Sequence, residues 1–345
     1  MRDVLPAIER WLSQNEPVAL ATVIQTWGSS PRQAGAKMAM THGNQISGSV
    51  SGGCVEGAVY ETGTEVLETG RARLLHFGVA DETAWEVGLA CGGSIDVFVR
   101  PLDPAFLEPW RAALAEDKPF AVATVASGPA DWLGSEILIR DDGSVNGAIG
   151  GGLNDAVVAA AMAALAEGHS QRRTIAAGET TAELFIEVNL SAPTLVIVGG
   201  VHIAIALASL AKTLGYRTVV VDPRSAFGSE ARFPHVDRLI QAWPDEALAQ
   251  ISLTRTTAVA MLTHDPKLDD PALMIALPSP AFYIGALGSK KTQEKRRARL
   301  LEAGLAEAQV NRIRGPIGLD LGARAPEEIA LSVMAEIVAV RNGAA

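Results

Sequence analysis

Two cysteines, each set against a glycine pair, are the residues of this chain best placed to do chemistry. Cys54 stands in Ser51-Gly52-Gly53-Cys54-Val55-Glu56-Gly57 and Cys91 in Gly88-Leu89-Ala90-Cys91-Gly92-Gly93. Paired glycines admit positive φ and let a ligand approach the backbone, so a sulfur beside them is presented rather than packed. Cys54 reads as the first residue of a helix, where the dipole and unpaired amides favour the thiolate, the form that ligates metal or attacks sulfur. The same helix start is an expected seat for a phosphate. Upstream, Gly28-Ser29-Ser30-Pro31-Arg32 and Gly35-Ala36-Lys37 offer hydroxyls, amides and the cations Arg32 and Lys37, at which an anion could dock. Plainer readings stand beside these: Cys54 and Cys91 as small apolar residues, and Arg32 and Lys37 as solvated loop charges. For Glu56 the plain reading, a first-turn helix acid, is preferred to proton transfer. No CxxC or HxxxH spacing supports zinc.

The elements that must position these residues come in pairs. A helix over Leu5 to Asn15 leads into the buried strand Pro17 to Ile24, then a strand over Lys37 to Thr41, the Gly43-Asn44 turn, the segment Gln45 to Val50, and the glycine pair. A helix from Cys54 to Leu67, ended by Gly70, and strands over Arg73 to Phe77 and Ser94 to Val99 follow. The pattern then repeats, from a helix over Ala105 to Ala115 to Pro119-Phe120-Ala121-Val122-Ala123-Thr124-Val125, which matches Pro17-Val18-Ala19-Leu20-Ala21-Thr22-Val23. After the Asp142-Gly143 turn come Gly150-Gly151-Gly152 and a helix over Leu153 to Glu167. In this alignment Gly52 and Gly53 match Gly151 and Gly152, Cys54 matches Leu153, and the Cys91 region matches Thr180, Thr181 and Ala182. The glycines belong to the scaffold and the sulfurs were added to one copy.

At 345 residues the chain is long enough for two domains. We expect a duplicated α/β domain over 1–190, with halves about 1–102 and 103–190, followed by a Rossmann-like doubly wound parallel sheet over 194–345. Thr194 to Val198, Arg217 to Asp222, Arg238 to Gln241, Ala258 to Thr263 and Phe282 to Ala286 are its strands. A dinucleotide fingerprint wants GxGxxG after the first of these, but the chain has Gly199-Gly200-Val201-His202, with Val201 where a glycine normally meets a pyrophosphate. Asp222 ends the second strand, where a ribose-binding acid sits. With Gly199, Gly200, His202, His264 and Gly288 it marks a candidate nucleotide crevice; a purely structural Rossmann domain is the equal alternative.

A net charge of −10 repels nucleic acid and anionic lipid. No run of ~18 apolar residues appears and no leader is evident, so no membrane role and a cytoplasmic location are expected. Reducing conditions there keep both cysteines as thiols.

Taken together, Gly28 to Arg32, Gly48 to Gly57, Gly88 to Gly93, Tyr283-Ile284-Gly285-Ala286-Leu287-Gly288-Ser289 and Gly315-Pro316-Ile317-Gly318-Leu319-Asp320 resemble the xanthine dehydrogenase accessory protein family, XdhC/CoxI, over nearly the whole chain. The resemblance implies a chaperone, not an enzyme. It implies a protein that binds molybdenum cofactor, protects it while a cysteine desulfurase supplies its terminal sulfur, and delivers it to an apo-molybdenum hydroxylase of the xanthine dehydrogenase type. Carried over by position, Cys54 holds the molybdenum of the cofactor and Cys91 is a second contact, with Ser51, Gly52, Gly53, Arg32 and Lys37 around them; a homodimer is implied as well. The family's Gly-Ala-Gly-His-like turn is missing at Gly199-Gly200-Val201-His202. Two other classes compete: an NAD(P)- or flavin-dependent oxidoreductase, which Val201 argues against, and a sulfurtransferase carrying a persulfide on Cys54.

Overall fold

The computed structural model describes residues 1–28, 32–78, 93–150, 152–177 and 180–344. Cys91 lies outside them, as do Ser29 to Pro31 of the upstream loop. The chain divides into two units, Met1–Leu190 and Ser191–Ala345.

In the first unit the apolar runs read from the sequence become the central strands of two sheets. One copy consists of α1 (Leu5–Ser13), β1 (Ala19–Trp27), β2 (Lys37–Met40), β3 (Ile46–Gly48), α2 (Glu56–Thr69), β4 (Arg73–Phe77) and β5 (Ser94–Pro101). The other consists of α3 (Pro104–Glu116), β6 (Phe120–Ser127), β7 (Glu136–Arg140), β8 (Val145–Gly147), α4 (Asn154–Glu167), β9 (Gln171–Ala177) and β10 (Thr180–Asn189). Their strand orders are the same, β3-β2-β1-β5-β4 and β8-β7-β6-β10-β9, and all their pairings are antiparallel. Even the registers agree. Thr22 faces Lys37 and Phe98 as Thr124 faces Glu136 and Phe185.

Each sheet is covered on one face by its own helix. Val59 and Val66 of α2 pack on Ala21, Val23, Met38 and Val97, and Val157, Ala161 and Ala164 of α4 on Ala123, Ile137 and Leu184. The opposite faces join the copies through Ile24, Phe98, Ala126 and Phe185 and through a core of α1, α3, Leu20, Phe120 and Val122 that includes Trp11 and Trp110. Burying each large side chain of this seam contributes about 1.5–3 kcal/mol.

The second unit consists of β11 (Thr194–Val198), α5 (His202–Thr213), β12 (Arg217–Val221), β13 (Arg238–Ile240), α6 (Pro244–Leu248), β14 (Thr257–Met261), α7 (Pro266–Ala276), β15 (Tyr283–Ala286), α8 (Lys290–Glu302), α9 (Glu307–Val310), β16 (Ile313–Arg314) and α10 (Pro326–Arg341). Its strands run in the order β13-β12-β11-β14-β15-β16, every neighbour parallel. Leu195 and Ile197 of β11 face α5 and α10, while Val196 and Val198 face α6, α7 and α8. That is a doubly wound sheet, and β11 and β14 flank its switch point, where loops diverge and open a crevice.

Candidate functional site

Two buried valines, Val50 and Val55, pin the ends of the turn that carries Cys54. Between them Ser51 is buried, Gly52 and Gly53 are exposed with φ of +82° and +121°, and Cys54 is half-buried with a free thiol. Its side chain touches the core beneath α2 on one side.

The helix begins later than its sequence implies. Its first residue is Glu56 and Val55 caps it, so Cys54 precedes the helix. Glu56 then folds back over the turn. Its carboxylate accepts from Ser49 Oγ at 2.6 Å and Ser51 Oγ at 2.5 Å, and from the amides of Val50, Ser51, Gly52 and Gly53 at 3.2, 2.9, 3.1 and 2.8 Å. Ser51 Oγ in turn accepts from the amides of Cys54 and Val55, both at 3.0 Å. Desolvation raises the Glu56 pKa, but hydrogen bonds from Ser49 and Ser51 outweigh it and hold it at about 2. Two expectations are thereby corrected. The amides expected to receive a phosphate already serve Glu56 and Ser51, and a fixed carboxylate stands where the anion would sit. Nor is Glu56 an ordinary first-turn acid: it is the brace of the thiol turn.

The two cations separate. Arg32 Nε donates to the Ser49 carbonyl at 3.3 Å, and Arg32 also lies 3.9 Å from Asp3, so it stays at the turn. Lys37 does not. Its side chain is buried, 2.6 Å from Glu187 and 3.2 Å from Thr22 Oγ1, within the seam between the copies. Arg100 pairs there with Glu136 at 2.6 Å, and Thr124 donates to the same carboxylate. By register Lys37 corresponds to Glu136 and Arg100 to Glu187, so the two ion pairs are one interaction repeated with charges reversed.

The second copy's turn is also placed differently from the sequence alignment. Ile149 and Leu153 are buried where Val50 and Val55 are, and Ile149 N–H donates to Asn154 Oδ1 at 2.9 Å, as Val50 does to Glu56. Leu153 caps its helix as Val55 does. Cys54 therefore matches no core residue; the first copy's turn is longer by one, and the cysteine sits at its end.

In the second unit a crevice of about 700 Å³ opens at the switch point, between Val201, His202 and Arg224 on one side and Thr263, His264 and Leu287 on the other. Gly199 has a φ of +105°, and a Cβ there would collide with Thr263. Gly200 lies under the Phe227 carbonyl, with no room for a Cβ. Gly288, with a φ of +130°, opens the loop before α8. Asp222 is fully buried and occupied: it accepts from Gly200 N at 2.8 Å and from Arg224 N, Nε and Nη2 at 2.9, 2.9 and 2.7 Å. Burial raises its pKa, but the Arg224 and Gly200 bonds outweigh that and lower it. The carboxylate expected to meet a ribose is therefore already taken by Gly200 and Arg224. The sequence signal for Arg224 was its place two residues after the strand-ending acid. His202 is exposed, 3.9 Å from Glu327. Among the described residues no three His, Cys, Asp or Glu side chains gather as a metal site, and no helix is long and apolar enough to cross a membrane.

A thiol turn grown on one half of a duplicated antiparallel unit, joined to a doubly wound sheet, defines the class. The chain belongs to the XdhC and CoxI family, whose description matches residues 11–78 and 113–176, while the XdhC Rossmann domain matches residues 195–337. Among its relatives, a probable xanthine dehydrogenase subunit of Bacillus subtilis is 28% identical over 340 residues, which cover 97% of this chain and 96% of that protein. The molybdenum cofactor insertion chaperone PaoD of Escherichia coli is 27% identical over 345 residues, covering 99% and 88%. A crystal structure of a Bacillus halodurans protein described as a xanthine dehydrogenase shares the fold, with a TM-score of 0.73 at 24% identity over 98% of this chain and 96% of that one.

Proposed function

We propose that this chain is a molybdenum cofactor chaperone that receives the cofactor at Cys54, supports its sulfuration by a cysteine desulfurase, and passes it to an apo-molybdenum hydroxylase. The observation that carries the reading is the one-residue lengthening that sets a free, half-buried thiol directly after two exposed glycines in one copy only. The likeness to an insertion chaperone over almost the whole of both chains supports it.

The residues fit the group in part. A sulfur donor suits a molybdenum centre held largely by sulfur, and the positive-φ glycines leave the thiol approachable. The anionic end of the cofactor does not belong on the helix start, which Glu56 and Ser51 fill. Arg32, beside Ser49, is the cation this unit offers it, and Cys91 is proposed as a second contact. When bound, the cofactor supplies the redox and sulfur chemistry that the client enzyme needs. Cys54 holds it, the turn shields one side of it, and Glu56, ionised across the physiological range, keeps the turn in shape. A homodimer working in the cytoplasm completes the proposal.

Mixing cofactor-loaded chain, a cysteine desulfurase, L-cysteine and an apo-molybdenum hydroxylase tests it. Hydroxylase activity should appear with the loaded chain and stay at background with chain from a host unable to make the cofactor. Equal activation by both would remove the chaperone role.

A further inference from the structure

Beside the crevice of the second unit lies a smaller pocket of about 260 Å³ whose character is different: it is lined by Ser289, Lys291, Thr292, Lys295, Arg296 and Arg299 with one carboxylate, Asp269, and it shares His264 and Pro266 with the crevice. Arg299 pairs with Asp270 at 2.5 Å and Arg296 with Asp269 at 2.8 Å. Among the described residues no carboxylate is paired with Lys291 or Lys295, so the pocket carries excess positive charge on a chain whose net charge is −10. Arg296 adds an independent sign. Its side chain is 1% exposed; Nη1 donates to Gln293 and Nη2 to Asp269 and the Leu287 carbonyl, but its Nε–H has no partner. A buried donor left unpaired is costly unless a ligand satisfies it. The pocket also sits at the start of α8, a helix of 13 residues capped by Ser289, which favours an anion.

The neighbouring crevice supplies what a bare phosphate lacks. Val201, Ile203, Leu262 and Leu287 give it apolar walls, its volume is in the range of small-molecule sites, and Arg224 lies 4.1 Å over the Phe227 ring, a flat surface on which a base can stack.

We propose that the second unit binds a phosphorylated small molecule of the nucleotide class, with its phosphate among Ser289, Lys291, Thr292, Lys295 and Arg296 and its ring in the crevice beside Arg224. This moves the phosphate seat away from Gly199-Gly200-Val201-His202, the turn that departs from the dinucleotide fingerprint. It does not depend on the thiol turn, and its failure would leave the cofactor reading of Cys54 untouched.

Isothermal titration of the full chain with inorganic pyrophosphate and with adenosine 5′-diphosphate tests it. The chain should bind both saturably, the nucleotide more tightly, with pyrophosphate displacing it. Lys291→Ala/Lys295→Ala, which removes two exposed side chains, should weaken both by tenfold or more; Arg224→Ala should weaken the nucleotide and spare pyrophosphate; Cys54→Ser should change neither. Absence of saturable binding to the unaltered chain, unchanged affinity in the double lysine variant, or equal loss of both ligands in Arg224→Ala would each overturn the proposal.

Discussion

The two copies of the first unit share strand order, register and a glycine turn, yet differ in the seam and at the turn, and these two differences have different purposes. In the seam the first copy contributes Lys37 and Arg100, the second Glu136 and Glu187. First with second is attractive, whereas first with first, or second with second, would bury like charges. The reversal thus specifies which halves join. At the turn the first copy has one more residue and a carboxylate brace, and the second has Asn154, whose amide oxygen accepts from Ile149 N–H. There the difference adds a chemical group to a scaffold that folds without it.

The largest effect should come from breaking the seam. Lys37→Glu buries a carboxylate against Glu187 and should cost about 3–5 kcal/mol in urea unfolding, while Lys37→Glu with Glu187→Lys should recover most of it. A single variant within about 1 kcal/mol of the parent would show that the charge reversal does not hold the copies together.

How much of this was legible in the sequence depended on distance along the chain. The duplication, the doubly wound sheet and the glycine turn follow from local patterns: Pro17 to Val23 repeats as Pro119 to Val125, and Thr194 to Val198 is an uninterrupted apolar strand. The fate of Lys37 was not local. Its partner Glu187 is 150 residues away, and a lysine before an apolar strand reads equally well as a loop cation. Cys54 was misaligned with Leu153 because both turns are glycine-rich and slide past each other without penalty; only the burial of Val50, Val55, Ile149 and Leu153 fixes the register. The role of Glu56 was hidden for a related reason. An acid in the first turn is so ordinary that nothing in its position signals the bonds it makes backward.

Glu56→Gln sharpens the comparison at the turn, since it makes the first copy's brace resemble the second's amide. Because the folded pKa, about 2, lies below the ordinary 4.5, the carboxylate contributes stability that is fully present above about pH 5 and is lost as pH falls toward 2. We expect Glu56→Gln to cost about 1–2 kcal/mol at pH 7, allowing for solvent screening of a partly exposed group. The gap between variant and parent should close as urea midpoints are followed down through pH 4 and 3; a gap that widened on acidification would contradict the brace. Smaller still, Gly53→Ala should cost about 1 kcal/mol through backbone strain at φ +121°, although a Cβ there meets only open space. Gly57→Ala, in the helix and equally uncrowded, should instead stabilise by about 0.5 kcal/mol. Thermal melts of the two variants side by side would expose an error if they shifted in the same direction.

The claim at the centre is that sulfur was added to one copy in order to hold the cofactor, and molybdenum and pterin content addresses it most directly. The chain and its Cys54→Ser variant would be purified from a host that makes the cofactor, alongside urea unfolding to confirm equal stability. The parent should carry both molybdenum and pterin, and the variant less than about a tenth as much, the loss expected when a principal ligand worth more than about 1.4 kcal/mol is removed. Equal content in two equally stable proteins would mean that the thiol turn is not where the cofactor is held.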